Sequence, residues 1–155
     1  MRDPLRRRGR ARHRPLPRPG FPGPQTIATS VSDDGKVVTG TSQVLYLGIS
    51  DAVIYTRGLG WMLMRDFLAS QGVLEMSRWQ VLGARVSGNG KVLTGTAFPL
   101  AADYYQGYRL QLDKVFVCHG KRRGGKTFQV RFPDEMDAAL RRGDIIGLCS
   151  GDAPL

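Results

Sequence analysis

The chain has 155 residues, enough for one domain with a substantial core and too few for two large ones. Its 41% hydrophobic and 23% charged content is ordinary for a globular protein, and 20 glycines favour a turn-rich β protein over a helical one. The formal charge of +10 has the sign of a nucleic-acid binder, but eight of the 23 basic residues and one of the 13 acidic ones lie in residues 1–24, so the body carries about +3. No stretch approaches the roughly 18–20 apolar residues that a membrane helix needs.

Residues 1–25 contain six prolines and almost no aliphatic residues. Such a segment cannot bury enough apolar surface to offset its ordering entropy, so a disordered Arg/Pro-rich tail is expected. Arginine and proline also continue where the apolar segment of a signal peptide would begin, so no export signal is legible.

An internal repeat follows. Residues 31–42 read VSDDGKVVTGTS and residues 86–97 read VSGNGKVLTGTA, an offset of 55 with eight of twelve positions identical. Each copy reads as strand, tight turn, strand. Asp34-Gly35 and Asn89-Gly90 are the dipeptides preferred in two-residue hairpin turns, where both central positions take positive φ. The Lys-Val-Val/Leu-Thr-Gly-Thr run beyond each turn is β-branched and disfavours helix.

Downstream of the first copy, Asp51 to Thr56 and Trp61 to Met64 read as two further strands around a turn at Arg57 to Gly60, with a helical turn over Asp66 to Ser70. Gly107 to Leu112 reads as the matching third strand of the second copy. About four short strands in a period of roughly 55 residues is the pattern of a propeller blade or a comparable β array. The expected fold class is therefore all-β: two propeller-blade-like antiparallel repeats (residues 26–113, divided near 27–82 and 83–113), then a small β/α C-terminal cap in 114–155. Two such repeats cannot close a propeller, which suggests a part of a longer repeat protein or a misassigned start.

The order Val-Ser-x-x-Gly-x-Val-Val-x-Gly, then Ala-x-x-Tyr-Thr and Gly-Trp, resembles the bacterial extracellular HAF repeats over residues 27–113. Tyr55 stands where that family has tryptophan, and Thr39 and Thr94 where it has valine. The resemblance implies export and a propeller-like β fold, and implies no activity.

The segment 115–149 is bracketed by the two cysteines, Cys118 and Cys149. Val115 to Val117 and Thr127 to Phe132 read as strands. Asp134 after Pro133 reads as a helix N-cap, Met136, Ala139 and Leu140 share a helical face, and Gly143 stops the helix. The cysteines admit three readings. A disulfide closing about thirty residues contributes about 3–4 kcal/mol in the chain-entropy model. Zinc binding has Cys118, His119 and Cys149 to draw on but no Cys-x-x-Cys pair. A Cys118/His119 nucleophile–base pair is opposed by strand geometry, which points sequence neighbours to opposite faces.

Val117, Cys118, His119, Lys126, Thr127, Val130, Leu140, Gly143, Asp144, Gly147 and Cys149 also fit the spacing of a C-terminal motif of secreted bacterial proteins, which this segment resembles. Two later histidines of that motif are Ala139 and Arg142 here, so no metal role is carried over. The paired cysteines of the motif imply the disulfide and an oxidising compartment.

Three further signals remain. Arg142-Gly143-Asp144 spells an integrin-type tripeptide, which helix-stop chemistry also explains. Gly120 to Thr127 has the spacing of a phosphate-binding loop, but the residues after it are β-like and reach Pro133 within six positions, against the helix that such a loop opens. Tyr104, Tyr105, Tyr108 and Arg109 form a candidate stacking surface for sugar or nucleic acid.

The expectation is a non-catalytic secreted or cell-surface module, without cofactor or membrane span. Its expected partners are upstream repeats of a parent protein, a surface glycan or a protein ligand. The alternative is nucleic-acid binding through the arginine tail.

Overall fold

Short β-branched runs separated by glycine turns favour meanders in which each strand pairs with the next, and such meanders form the body of this protein. The computed structural model describes residues 25–44, 49–73, 79–99, 104–120 and 124–149. The tail predicted for residues 1–25 lies outside the described residues, except that Gln25 already opens the first strand.

Strands β1 (Gln25–Val31), β2 (Val37–Val44), β3 (Ile49–Thr56) and β4 (Gly60–Leu63) form an antiparallel sheet in chain order. Helix α1 (Met64–Ser70) follows. Met64, expected at the end of a strand, is fully buried as its first residue. The second repeat gives β5 (Trp79–Val86), β6 (Val92–Pro99) and β7 (Gln106–Gln111), again in chain order. It has three strands among the described residues where four per period were expected. A third sheet, ordered β10-β8-β9, is built from β8 (Lys114–His119), β9 (Lys126–Arg131) and β10 (Ile145–Ile146), with helix α2 (Asp134–Arg141) between the last two strands. The protein is thus mostly antiparallel β.

The duplicated hairpins match closely. The Gly35 amide donates to the Ser32 carbonyl at 2.8 Å, and the Gly90 amide to that of Ser87 at 2.9 Å. Asp34 Oδ1 accepts from the Ser32 hydroxyl and the Lys36 amide at 2.7 and 3.1 Å, and Asn89 Oδ1 accepts from Ser87 and Lys91 at the same two distances. The two-residue turn expected from Asp34-Gly35 and Asn89-Gly90 is therefore corrected. The turn begins at the serine, and only Gly35 and Gly90 take positive φ (70° and 73°), since among the described residues no non-glycine does. The serine hydroxyl is the reason: it also accepts from the amide of Val37 or Val92 at 3.0 Å, which draws the serine into a four-residue loop.

The conserved-looking glycine of each Thr-Gly-Thr run has a packing cause. Both β1 and β5 are bulged, between Ala28 and Ser30 and between Val81 and Gly83. A Cβ on Gly40 would run into the Ile27 carbonyl oxygen, and one on Gly95 into the Gly83 carbonyl oxygen and the Tyr108 hydroxyl.

One continuous core joins the three sheets. Val37 and Ile54 of the first sheet, Val86 and Leu93 of the second, and Phe67 and Leu68 of α1 all belong to it. Val115, Val117, Val130, Phe132 and Met136 of the C-terminal segment belong to the same cluster, so it shares the core of the repeats. Each such aliphatic burial contributes about 1.5–3 kcal/mol. Asp134 is not the N-cap: Pro133 holds that position, its bond to Phe132 is cis, and Asp134 lies in the first turn with its carboxylate 2.8 Å from Lys36 Nζ.

Gly95→Ala is expected to destabilise the fold by about 1–3 kcal/mol, the usual cost of overpacking. Gly83→Ala, whose Cβ meets nothing within 4 Å, serves as its near-neutral partner. Urea unfolding of the two variants measures the difference.

Candidate functional site

The junction between the repeats is made by hydroxyl groups. Thr29 and Thr39 of the first repeat both donate to the Ala84 carbonyl of β5, at 3.1 and 3.0 Å. Ser30 donates to the Val86 carbonyl at 3.1 Å and accepts from the Val86 amide at 3.3 Å. The Asp33 amide donates to the Gly88 carbonyl at 2.8 Å, so the two hairpin turns touch. Threonine suits this role because its hydroxyl gives an edge carbonyl a partner while its methyl stays in the core; Thr39 is fully buried.

Beside the junction lies an open groove of about 640 Å³, lined in part by Thr29, Thr41, Gly83, Thr96, Gly107 and Arg109. A row of small residues across the second sheet, Gly83, Thr96 and Gly107 in register, makes the groove. The flanking row, Arg85, Thr94 and Arg109, is exposed.

The four residues expected to form one stacking surface do not share a face. Tyr108 pairs with Gly95 and points inward, its hydroxyl donating to the Gly83 carbonyl at 2.8 Å, whereas Arg109 pairs with Thr94 on the outer side. Burial pushes the Tyr108 phenol well above its ordinary range. Tyr104 and Tyr105 are exposed ahead of β7, and Tyr105 packs against Phe98 with ring centroids 5.4 Å apart. Alternation along β7 is what divides the set.

In the C-terminal segment Cys118 and Cys149 form a disulfide with Cα atoms 5.0 Å apart, which removes both thiols from the zinc and nucleophile readings. Its surroundings account for several motif positions. Gly125 lies where a Cβ would come within 2.9 Å of both sulfurs, and the Thr127 hydroxyl accepts from the Cys149 amide at 2.8 Å. Gly147, at φ 104°, donates its amide to the Phe116 carbonyl at 2.8 Å beside the end of α1. Gln71, just after α1, accepts from the Phe116 amide at 2.6 Å and donates back to its carbonyl at 3.3 Å. The opposite end of the segment is held by Asp137, whose Oδ1 accepts from the buried Thr56 hydroxyl at 2.6 Å.

The pairing of β10 with β8, with Ile145 opposite Cys118, also brings Asp144 to His119. His119 Nδ1 lies 2.6 Å from Asp144 Oδ1, and Arg142 is 3.6 Å from Asp144 Oδ2. Sequence reasoning missed this pair, although pairing the cysteines already places Cys118-His119 beside the Gly-Asp-x-x-Gly-x-Cys run. With its side chain buried, Asp144 cannot be offered to a receptor as part of Arg142-Gly143-Asp144. The residues after the glycine loop form strand β9, so the helix needed by a phosphate-binding loop is absent there. Among the described residues no three His, Cys, Asp or Glu side chains are grouped to hold a metal, and no helix is long and apolar enough to cross a membrane.

Comparison with family models, with curated proteins and with solved structures returns no match.

Replacing both cysteines by serine is expected to cost about 3–4 kcal/mol, as loop closure across 31 residues gives, measured by denaturant unfolding against the oxidised chain. Tyr108 sets an alkaline limit. An unfolded tyrosine releases its proton near pH 10, while the buried phenol retains it, so the unfolded chain binds fewer protons and stability falls as pH rises above about 10. Unfolding free energies from pH 8 to 11 should decline less steeply in Tyr108→Phe than in the parent chain, after an offset of about 1 kcal/mol for the lost hydrogen bond.

Proposed function

We propose that the chain is a non-catalytic β-repeat module of a secreted or cell-surface bacterial protein, with a structural or interaction role. The first meander meets the second along its edge strand β5, and the C-terminal segment shares their core. The observation that carries this reading is the hydroxyl-to-carbonyl junction between two copies of one hairpin. Conserving the turn to within 0.1 Å while varying the sheet faces is what a repeat architecture requires. Its order of motifs supports kinship with the HAF repeats and a propeller-type arrangement.

The disulfide supports the export part of the proposal, because such bonds persist in oxidising compartments. The exposed Tyr104 and Tyr105 are where a glycan or protein ligand would meet the module. Nucleic-acid binding through the arginine tail rests on residues 1–24, outside the described residues.

Labelling intact cells of the native source with a membrane-impermeant amine reagent tests the reading. The chain should be labelled without lysis and should take up alkylating reagent only after reduction. Labelling that requires lysis, together with two free thiols, would overturn it.

A further inference from the structure

Arg85 and Arg109 stand on the outer face of the second sheet, one on each side of Thr94 in a single register row. Neighbouring strands are about 4.8 Å apart, so the two Cα atoms are about 10 Å apart and both guanidinium groups are within reach of the space above Thr94. Both arginines are exposed, and among the described residues neither forms an ion pair or a hydrogen bond. The Thr94 and Thr96 hydroxyls are equally uncommitted, whereas Thr39, the counterpart of Thr94, donates to the Ala84 carbonyl. Two like charges this close repel each other, and an anion between them turns that repulsion into attraction.

The arginines and both threonines line the groove of about 640 Å³. Its floor is open without help from the fold. A Cβ on Gly40 or Gly95 would strike a carbonyl, but one on Gly83 meets nothing within 4 Å, and one on Gly107 only the Gly95 carbonyl oxygen at 3.9 Å. Neither Gly83 nor Gly107 has positive φ. The first copy carries Ala28 and Ala52 at the same offset. Gly83 borders the bulge of β5; Gly107 has no such cause. A glycine weakens a strand, and one that packing does not require fits a place where a ligand approaches the backbone. Two residues beyond Thr96 on the same face of β6, Phe98 packs its ring on Tyr105.

Resting on the cell-surface reading above, we propose that this groove binds an acidic glycan, with the carboxylate of a uronic acid held between Arg85 and Arg109. A guanidinium fork matches a carboxylate with two parallel hydrogen bonds. The Thr94 and Thr96 hydroxyls meet the sugar hydroxyls, and the ring lies over Gly83 and Gly107. Nucleic acid fits less well. Its bases need successive aromatic faces to stack on, and Tyr108, which lines the groove, is turned inward with its hydroxyl on the Gly83 carbonyl.

Short oligomers of galacturonic, glucuronic and mannuronic acid, titrated into the full chain, test the proposal by calorimetry and amide chemical shifts. At least one should bind and shift the Gly83, Thr94, Thr96 and Gly107 amides. Its methyl ester, which keeps the sugar and removes the charge, should bind at least about tenfold more weakly, as should the parent oligomer to Arg85→Ala or Arg109→Ala. Arg57→Ala, exposed but outside the groove, should bind as the parent chain does. Gly107→Val separates a ligand site from a structural role. Its side chain has room in the fold but stands on the floor, so binding should fall about tenfold or more while the unfolding midpoint holds or rises. If that variant does not fold, Gly107→Ala takes the same measurement. The proposal is overturned if none of the three oligomers binds, if the ester binds equally well, or if Gly107 variants that fold bind unchanged. Binding that survives in the Arg85→Ala/Arg109→Ala double variant also overturns it, by assigning the contact to residues 1–24. So does a single-stranded oligonucleotide that shifts the same amides at lower concentration than every oligomer. Surface labelling without glycan binding would remove this site and keep the cell-surface reading; binding without surface labelling would do the reverse.

Discussion

The Ala84 carbonyl sits on β5, the edge strand of the second sheet, and it accepts from two threonines of the first. An edge strand carries unpaired backbone groups that must find water or a partner. Here the partner is a set of short hydroxyl side chains, and that choice governs how the sheets meet. Ordinary ladder pairing between β1 and β5 would have merged the two meanders into one broad sheet. Hydroxyl donors reach the edge from the face of the neighbouring sheet, so the sheets stack and enclose apolar side chains between them. Val37, Ile54, Val86 and Leu93 lose their water because Thr29, Ser30 and Thr39 make the edge of β5 fit to bury.

The C-terminal segment then follows from what the stack leaves open. Two stacked sheets have an exposed rim where their cores reach solvent, and α2 with β8 and β9 supplies the apolar residues that cover it. Its attachments are polar and local. Asp137 bonds to Thr56, Lys36 pairs with Asp134, and the Gln71 side chain accepts from the Phe116 amide, whose carbonyl also receives the Gly147 amide. The disulfide fixes the two ends of this segment to each other rather than to the repeats. It holds the small sheet together, while apolar contact and hydrogen bonds hold that sheet in place.

How much was legible in the sequence depended on the range of the determining interaction. Strand positions, the 55-residue period and the pairing of Cys118 with Cys149 were legible because they rest on local patterns and on having only two cysteines. The turn was misread at Asp34-Gly35 and Asn89-Gly90 because the deciding group is the preceding serine hydroxyl, which dipeptide preference does not weigh. Tyr104, Tyr105, Tyr108 and Arg109 were grouped by proximity along the chain, whereas alternation on β7 sends Tyr108 to the junction and Arg109 to solvent. The His119–Asp144 pair depends on the register of β10 on β8, two strands far apart in sequence. The Gly125 and Gly147 contacts depend on a sulfur pair and a helix end distant in sequence, and no short window contains them.

The departures between the two copies carry as much information as their identities. Positions held constant, the serine, the turn glycine and the glycine beside the bulge, are those whose geometry is internal to one copy. Ser30/Arg85 and Ile54/Arg109, on the sheet faces, are among the positions that change. Ser30 and Ile54 have a sheet to pack on; Arg85 and Arg109, in the same places, have water. Asp33 has become Gly88 because the two turns touch and the space holds one side chain. A repeat that evolved under the same constraint on both sides would carry the same residues in both copies. The outward face of the second unit carries the exposed Arg85 and Arg109, and that of the first carries the exposed Val31 with the half-buried Tyr55–Trp61 pair.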